Sequence, residues 1–506
     1  DTPNTRTSGI MEAINYVISS SDNSTYYPEI HLLAGEFLIH QPIYLSYTIP
    51  PPYIGGSNGA SITAPSLIGT GGRNGQNNFT PLNTYIKCAS DFPSGEYAIA
   101  FLLPPSAYFS GATNPQWVGG ILKNFTLDNN NLGAGICLIQ YGNGEVKNIA
   151  IRNPTVPNPT ITLAPSTNAN AQTGAFVYTS TDDSGEDTTI EDIQIRGGSY
   201  EDGFVLFSYG GINAFRRLWC ASGAKRYGFY QGGSGLYPML LEDCESDTTG
   251  GWTGAVPTGL SPGAPQSASY LLTGPVTLLN TGTFIGAPPN SPFIAQYANT
   301  TIINSYLRGS PNPVSGNPYV IVGSGGNSLT LINTVIEYNS SYYGVLNCTN
   351  SLNNEALQKF INVFYSDDNS GTPAVKPFNL NYGSDYTWTN VINIEPFFDS
   401  RGRYMGGYPP SLIANPPVSA TIYQNQNISN IRIILPAYAT TSGTAGSVAI
   451  AMGPNYSTLT SFATKFINGS TSSSATELIE LVVPGGWYYE FTATGATLGT
   501  ATVMPA

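Results

Sequence analysis

The sequence contains few charged residues and no long apolar run. Of its 506 residues, 31 are acidic and 18 are basic, which gives a formal net charge of −13. The charged share of 10% is far below the roughly 25% of ordinary soluble proteins, and it argues against a coiled coil or a largely helical chain. The acidic balance disfavours nucleic acid and anionic membranes as partners, because both attract basic patches. Without a run of about 18 apolar residues, no membrane insertion is predicted.

Histidine and cysteine are also scarce. His31 and His40 are the only histidines and lie near the start, so neither a Ser-His-Asp arrangement nor a His-based metal site is predicted. We expect no metal and no cofactor. The five cysteines form no zinc-like pair. Cys220 and Cys244 fall on adjacent repeats with mismatched offsets, which leaves open whether they form a disulfide. A hydrophobic share of 41% excludes disorder.

Short apolar segments repeat from about residue 116, each followed by a recurring polar position. Most steps between these positions are 24 to 29 residues, and the two longer steps contain insertions around 153–173 and 247–268. The aligned residues are Asn124, Asn148, Asp192, Arg217, Asp243, Asn280, Asn304, Asn333 and Asn362. A period in the twenties without a helix in each unit predicts a parallel β-solenoid. Because rungs stack roughly 4.8 Å apart, the repeated Asn side chains should form a ladder of amides.

The chain is predicted to have four parts. Apolar residues at helical spacing after Thr7 and Ser8 predict one short amphipathic helix near the start. Alternating strands after a Gly- and Pro-rich stretch predict a small β-sandwich at the end. The predicted parts are an N-terminal cap with the first rungs (1–110), a parallel β-helix (111–394), a linker or neck (395–417) and a C-terminal β-sandwich (418–506).

Two segments resemble known families. The start, with Ala34-Gly35-Glu36-Phe37-Leu38-Ile39 and Leu67-Ile68-Gly69-Thr70-Gly71, resembles pectate-lyase-like right-handed β-helix proteins, which include virus tailspikes and polysaccharide-degrading enzymes. The end, with Val483-Pro484-Gly485-Gly486-Trp487-Tyr488-Tyr489, is similar to the C-terminal β-sandwich modules of viral tail fibres and tailspikes. The resemblance implies an all-β right-handed parallel β-helix with a capping helix and a terminal sandwich. It also implies a homotrimer on a virion surface, joined to other virion proteins at its N-terminal side.

Charged residues replace the aligned Asn over three consecutive repeats. The same acid–base–acid order appears twice, in Asp192, Arg217 and Asp243 and in their preceding neighbours Glu191, Arg216 and Glu242. Each Arg, stacked between two carboxylates, could bond both, and such a ladder serves the fold. Alternatively, carboxylates two rungs apart are about 9–10 Å apart at the backbone, near the range of inverting glycosidases. The candidate catalytic residues are therefore Asp192, Asp243, Glu191 and Glu242, although an intervening Arg lowers carboxylate pKa values and opposes a general-acid role.

Glycan contacts are predicted for Arg216 and Arg217 on these rungs, for Trp252 in the 247–268 insertion and for Trp117 before the repeats. Aromatic side chains are also ordinary core residues in a β-helix, so this alternative stays open for both tryptophans. A second group of charges, Glu201 and Asp202 with Lys225 and Arg226 one repeat later, is predicted to pair along the surface, where ion pairs contribute little.

These features support one leading function and two others. The leading hypothesis is a tailspike- or fibre-like virion attachment protein, extracellular and trimeric, that binds host cell-surface glycans. The alternative is a secreted or virion-borne polysaccharide-degrading enzyme, either a glycoside hydrolase or a polysaccharide lyase, and the sequence leaves enzymatic activity undecided. A cellular surface adhesin of similar build is the third hypothesis.

Overall fold

The computed structural model describes most of the chain in ranges separated by gaps. The described residues are 5–20, 29–45, 62–63, 65–71, 83–101, 117–118, 120–139, 141–142, 144–159, 171–180, 188–208, 213–233, 238–247, 250–257, 265–282, 291–308, 319–324, 327–338, 344–349, 358–361, 363–367, 378–381, 391–394, 398–399, 417–425, 430–455, 457–469, 477–484 and 487–505. Chain contacts divide it into two compact units, Asp1–Val322 and Gly323–Ala506.

The first unit is built from two long parallel sheets. The first sheet contains Glu29–His31, Gly35–Ile39, Ser66–Ile68, Thr84–Cys88, Ile121–Asp128, Glu145–Arg152, Thr189–Arg196, Ala214–Cys220, Met239–Glu242, Glu245–Ser246, Val276–Leu279 and Thr300–Ile303. The second sheet contains Ile43–Tyr44, Ile99–Phe101, Ile136–Leu138, Gly174–Thr179, Asp202–Phe207, Tyr227–Gly232, Ala268–Leu272 and Ile294–Gln296. The chain alternates between the sheets, and each strand pairs in parallel with its equivalent one repeat away. This arrangement confirms the predicted parallel β-helix.

The recurring polar position is a left-handed corner in the first sheet. All described residues of the predicted ladder have a positive φ, namely Asn124 (64°), Asn148 (54°), Asp192 (57°), Arg217 (53°), Asp243 (54°), Asn280 (53°), Asn304 (51°) and, in the second unit, Asn333 (49°). Asn362 lies outside the described residues. The corner lets residues three apart, such as Ile190 and Ile193, both face the interior with no exposed surface. Asn tolerates this conformation better than other side-chain-bearing residues, which explains its recurrence.

Side chains stack from rung to rung at the corner and in the core. The Asn148 amide Nδ2 donates to Asn124 Oδ1 at 2.9 Å, so the amide ladder predicted from the sequence is present at this step. In the core, the Phe229 ring stacks on Phe204 with a centroid distance of 5.0 Å and on Tyr270 at 4.8 Å. Aromatic side chains at equivalent positions of successive rungs therefore bury one another inside the coil.

The N-terminal helix spans Ile10–Ser20. Thr7 caps it, since the Thr7 Oγ1 accepts a hydrogen bond from the Met11 backbone nitrogen at 3.1 Å. Ser8 instead donates to the Leu38 carbonyl, and its φ is 51°. Other short elements of the first unit are the 3-10 helix Ala171–Thr173, the paired strands Ile62–Thr63 and Trp117–Val118, and the strand Tyr306–Arg308. Tyr319–Ser324 is a strand at the boundary between the units.

The second unit contains further parallel strands. These are Leu329–Ile332, Gln358–Ile361 and Val391–Ile394 in one series, Val335–Tyr338, Phe364–Asp367 and Phe398–Asp399 in another, and Gly344–Thr349 with Phe378–Asn381 in a third. The predicted neck, 395–417, lies almost entirely outside the described residues. The four-part domain division therefore stays a prediction.

The last part of the second unit is an antiparallel β-sandwich. One sheet contains Ile422–Gln424, Tyr488–Thr494, Gly446–Gly453 and Thr460–Ile467. In the other, Ile431–Ala439 pairs with Glu477–Val483, Ala496–Leu498 and Thr502–Pro505. Their inner faces share one apolar core, which includes Ile433, Val448, Leu481 and Phe491. The edge strand Thr460–Ile467 exposes both Phe462 and Phe466.

Candidate functional site

The first candidate site is the charged corner, which we define as Glu191, Asp192, Arg216, Arg217, Glu242 and Asp243. Three adjacent strands of the first sheet position these residues, and the register places Glu191 beside Arg216 and Arg216 beside Glu242. The left-handed corner turns all six side chains away from the apolar interior, so that they are partly or fully exposed. The structure therefore brings the predicted acid–base–acid rungs together on the surface.

Arg217 binds the preceding rung through the Nε and Nη2 atoms of its guanidinium. Its Nε donates to Asp192 Oδ1 at 2.7 Å, and its Nη2 donates to Asp192 Oδ2 at 3.0 Å and to Glu191 Oε2 at 2.7 Å. A long side chain in the left-handed region is unusual, and that conformation costs roughly 1–2 kcal/mol for most residues. Three charge-assisted hydrogen bonds offset this cost.

Arg216 turns the other way and binds the following rung. Its Nε donates to Glu242 Oε2 at 2.7 Å, while Asp243 accepts a hydrogen bond from Asn280 Nδ2 at 3.2 Å. The expectation that each Arg bonds carboxylates on both sides is therefore corrected. The two neighbouring guanidinium groups point apart. Arg217 binds both carboxylates of the preceding rung, and Arg216 binds only Glu242 of the following rung.

Electrostatics at the corner favour the ionised form of Glu191. Lys147, on the rung before Glu191, forms an ion pair with it. The hydrogen bond from Lys147 lowers the pKa of Glu191, burial opposes this, and Arg217 lowers it further, so the net pKa is below the usual value. A carboxyl with a lowered pKa is a poor proton donor at neutral pH. Glu191 is thus a poor candidate for the general acid of a glycosidase.

The two tryptophans predicted to bind glycan lie on other elements than the strands of the charged corner. Trp117 belongs to the strand Trp117–Val118, which pairs with Ile62–Thr63. Trp252 packs against Arg226, with the guanidinium carbon 5.7 Å from its ring centre. A Cβ at Gly254 would lie 2.6 Å from the Trp252 ring, so the local backbone also packs closely on the indole.

The second candidate site is a buried arginine site, formed by Arg226, Asp202, Glu201 and Trp252. Arg226 precedes the strand Tyr227–Gly232, and its guanidinium donates to Asp202 from Nε at 2.9 Å and from Nη2 at 2.5 Å. It also forms an ion pair with Glu201. The side chain of Arg226 is 4% exposed, and that of Asp202 is 0% exposed. Surface pairing was therefore the wrong prediction, because the 247–268 insertion contributes Trp252 and the Ala255 carbonyl to cover Arg226.

Glu201 is the carboxyl with a raised pKa at this site. Burial raises its pKa, the positive charge of Arg226 lowers it, and the negative charge of Asp202 raises it, which gives a value of about 7. Asp202 is already paired with Arg226 and also accepts from Thr173 Oγ1 at 2.6 Å. One guanidinium therefore serves two largely buried carboxylates, those of Asp202 and Glu201.

Four of the cysteines are buried free thiols. Cys88, Cys137, Cys220 and Cys244 form no disulfide, and the register pairs Cys220 with Ser246 rather than with Cys244. Burial raises the pKa of Cys220 and of Cys244 to about 12. The sequence left open whether Cys220 and Cys244 form a disulfide, and in the structure they do not.

We predict that these four thiols resist alkylation in the native protein. Because the thiolate is the reactive form, a buried thiol with a raised pKa reacts slowly. Peptide mapping after iodoacetamide treatment should find all four unmodified in buffer and modified in denaturant. A Cys220–Cys244 disulfide in a non-reducing map would contradict the structure.

The described residues contain neither a cluster of metal ligands nor a membrane-spanning helix. Within those ranges, no three His, Cys, Asp or Glu side chains are grouped as metal ligands. In the same part of the chain, no helix is long and apolar enough to cross a membrane.

Comparisons with known proteins relate the chain to one solved tailspike structure. No protein-family model matches the chain, and no curated protein matches it. Among solved structures, it is similar to the enzymatically active domain of tailspike protein 4 of bacteriophage CBA120, with 11% sequence identity and a TM-score of 0.26. The match covers 94% of this chain and 64% of that structure, so the chain spans less than two thirds of that structure's length.

Proposed function

We propose that this protein is a trimeric, tailspike-like virion attachment protein that binds host cell-surface glycans at the charged corner. The observation that carries the proposal is the replacement of the amide ladder by charged side chains on three rungs. On other rungs an Asn occupies the corner, and its side-chain amide can bond to the Asn of the neighbouring rung, as Asn148 does to Asn124. Arg217 adopts a conformation that suits Asn better, and backbone strain of this kind often accompanies functional sites.

The shape of the corner supports glycan binding. Its guanidinium and carboxylate groups lie on a stack of strands about 4.8 Å apart, which presents hydrogen-bonding groups at regular intervals to an extended polar ligand. The side chains of Arg216 and Arg217 are 41% exposed, so a ligand can reach them without unfolding the coil.

Trimer formation is the second element of the proposal. Phe462 and Phe466 are 57% and 78% exposed on an edge strand of the terminal sandwich. Exposed apolar residues on an edge strand are typical of surfaces that become covered by another chain. Sedimentation equilibrium should therefore give a trimer, and Phe466→Ser should shift the equilibrium towards the monomer.

A polysaccharide hydrolase or lyase is the alternative. Asp192 and Asp243 lie two rungs apart, about 9–10 Å at the backbone, which falls near the range of inverting glycosidases. Arg217 occupies both carboxylate oxygens of Asp192, which opposes a catalytic role for that residue. We therefore place binding ahead of cleavage.

One experiment separates the two functions. The purified protein is applied to an array of cell-surface polysaccharides, and released reducing ends and unsaturated sugars are measured in parallel. We expect binding without cleavage, weakened at least tenfold in Arg216→Ala/Arg217→Ala and unchanged in Arg432→Ala, whose guanidinium pairs with Glu480 in the sandwich. Cleavage that disappears in Asp192→Asn or Asp243→Asn would replace the attachment proposal by the enzyme. Absence of binding to every polysaccharide would contradict both.

A further inference from the structure

Each sheet of the terminal sandwich ends in an edge strand with one open side. Among the described strands, Thr460–Ile467 pairs only with Gly446–Gly453, and Glu477–Val483 pairs only with Ile431–Ala439. A register shift just before Ala463 leaves Ala463–Ile467 as the regular part of the first edge strand. The open side of such a strand presents backbone hydrogen-bonding groups and is a template for pairing with a strand of another chain.

Both open edges carry exposed apolar side chains. Phe466 is 78% exposed on the first edge strand, and Leu478 and Val482 are 64% and 43% exposed on the second. Ile467 and Ile479, which directly follow Phe466 and Leu478, are buried in the sandwich core. Because side chains alternate along a strand, Phe466 and Leu478 face outward. Exposed apolar side chains beside an open edge favour contact with another chain.

The two edges also carry charges of opposite sign. Lys465 on the first edge strand and Glu477 on the second are both exposed. Register places Lys465 beside Val448 and Glu477 beside Ala437, which are both core residues, so the two charges lie on the inner faces of their strands. Pairing of two identical edges would bring like charges together, which is unfavourable. Pairing of the two different edges brings Lys465 and Glu477 together, so the charges select a contact between unlike edges.

The same pairing brings the exposed apolar side chains together. With Lys465 opposite Glu477 of a second copy, Phe466 lies directly opposite Leu478 in a parallel pair and diagonally across from it in an antiparallel pair. In both directions the inner face of one strand continues the inner face of the other, and the outer faces do the same. One register therefore satisfies the charges, the apolar side chains and the open backbone groups at once.

We propose that Thr460–Ile467 of one copy pairs with Glu477–Val483 of the next copy, with Lys465 opposite Glu477. The two paired surfaces differ, so each copy offers one surface to each of its two neighbours, and three such contacts close into a ring. This inference rests on the proposed trimer. It adds the surface that covers Phe466 and the unlike nature of the contact.

Crosslinking of the full chain tests which edges meet. Lys465→Cys and Glu477→Cys are made singly and together, and each variant is treated with a short bis-maleimide and resolved under denaturing conditions. We expect covalent dimer and trimer from the double variant and only monomer from each single variant, because equal positions lie apart in a ring of unlike contacts. Both positions are exposed, so the variants should fold. The wild-type chain, treated in the same way, is the control.

A charge exchange tests the pair itself. Lys465→Glu and Glu477→Lys should each weaken trimer formation by about tenfold or more in sedimentation equilibrium, because each places like charges across the contact. The combined variant restores an opposite pair and should associate like the wild type. If the combined variant stays as weak as the single variants, the two residues do not face each other and the inference fails.

The outcomes separate this inference from the proposed trimer. A trimer in sedimentation that the double cysteine variant fails to crosslink would overturn the inference and leave the proposed trimer standing. Covalent dimers from a single cysteine variant would show that identical edges meet, which also overturns it. A monomer at every concentration would remove the proposed trimer and this inference together.

Discussion

Replacing Arg226 with methionine should lower the free energy of unfolding by about 3–5 kcal/mol. Methionine fills a similar volume but leaves the carboxylate of Asp202 fully buried without its cation, and breaking a buried ion pair in this way costs about that much. The change also removes the contact of the guanidinium with Trp252 and its hydrogen bond to the Ala255 carbonyl. Denaturant unfolding followed by far-ultraviolet circular dichroism measures the loss.

Arg216→Met is the matched control for this prediction. Its guanidinium is 41% exposed and pairs with Glu242, so its loss should cost less than about 1 kcal/mol. Arg226→Lys keeps the positive charge but not the bidentate contact with the carboxylate. Its loss in the free energy of unfolding should therefore fall between the losses of the two methionine variants. A loss below about 1 kcal/mol in Arg226→Met would show that the buried arginine site does not hold the insertion in place.

The fold was largely predictable because one chemical requirement repeats on every rung. A left-handed corner favours Asn, so Asn124, Asn148 and Asn280 revealed the period and the stacking of the coil. The charged exceptions were equally visible, since Asp192 and Arg217 stand out in a sequence with little charge. The structure confirmed their position and corrected only the direction in which the two arginines point.

The buried arginine site was not predictable in the same way. Glu201 and Arg226 lie in turns, where exposed charges are common, and nothing in their spacing shows that they are covered. Burial comes from Trp252, which belongs to an insertion that interrupts the repeat.

The pKa of Glu201 predicts an unusual pH dependence of stability. The folded carboxyl has a pKa of about 7 against an ordinary value of 4.5. Between these values the folded protein holds a proton that the unfolded chain has released, so its contribution to stability is fully present below about pH 4.5 and falls as the pH rises through 7. The shift corresponds to a loss on the order of 3 kcal/mol. Glu201→Gln stays neutral and should remove this loss when unfolding free energies are compared at pH 5 and pH 7.5.

Glu191→Gln provides a control of opposite sign. Lys147 and Arg217 lower the pKa of Glu191, so its contribution is present above its unfolded pKa and is lost only as the pH falls through the folded value. Between pH 5 and pH 7.5, the free energy of unfolding of Glu191→Gln should therefore change with pH as that of the wild type does. The free energy of unfolding of Glu201→Gln should instead approach the wild-type value at the lower pH. If the free energy of unfolding of both variants changes with pH as it does in the wild type, Glu201 is ionised over this whole pH range. One guanidinium would then satisfy both carboxylates, and the covering insertion would be held equally firmly in mild acid and at neutral pH.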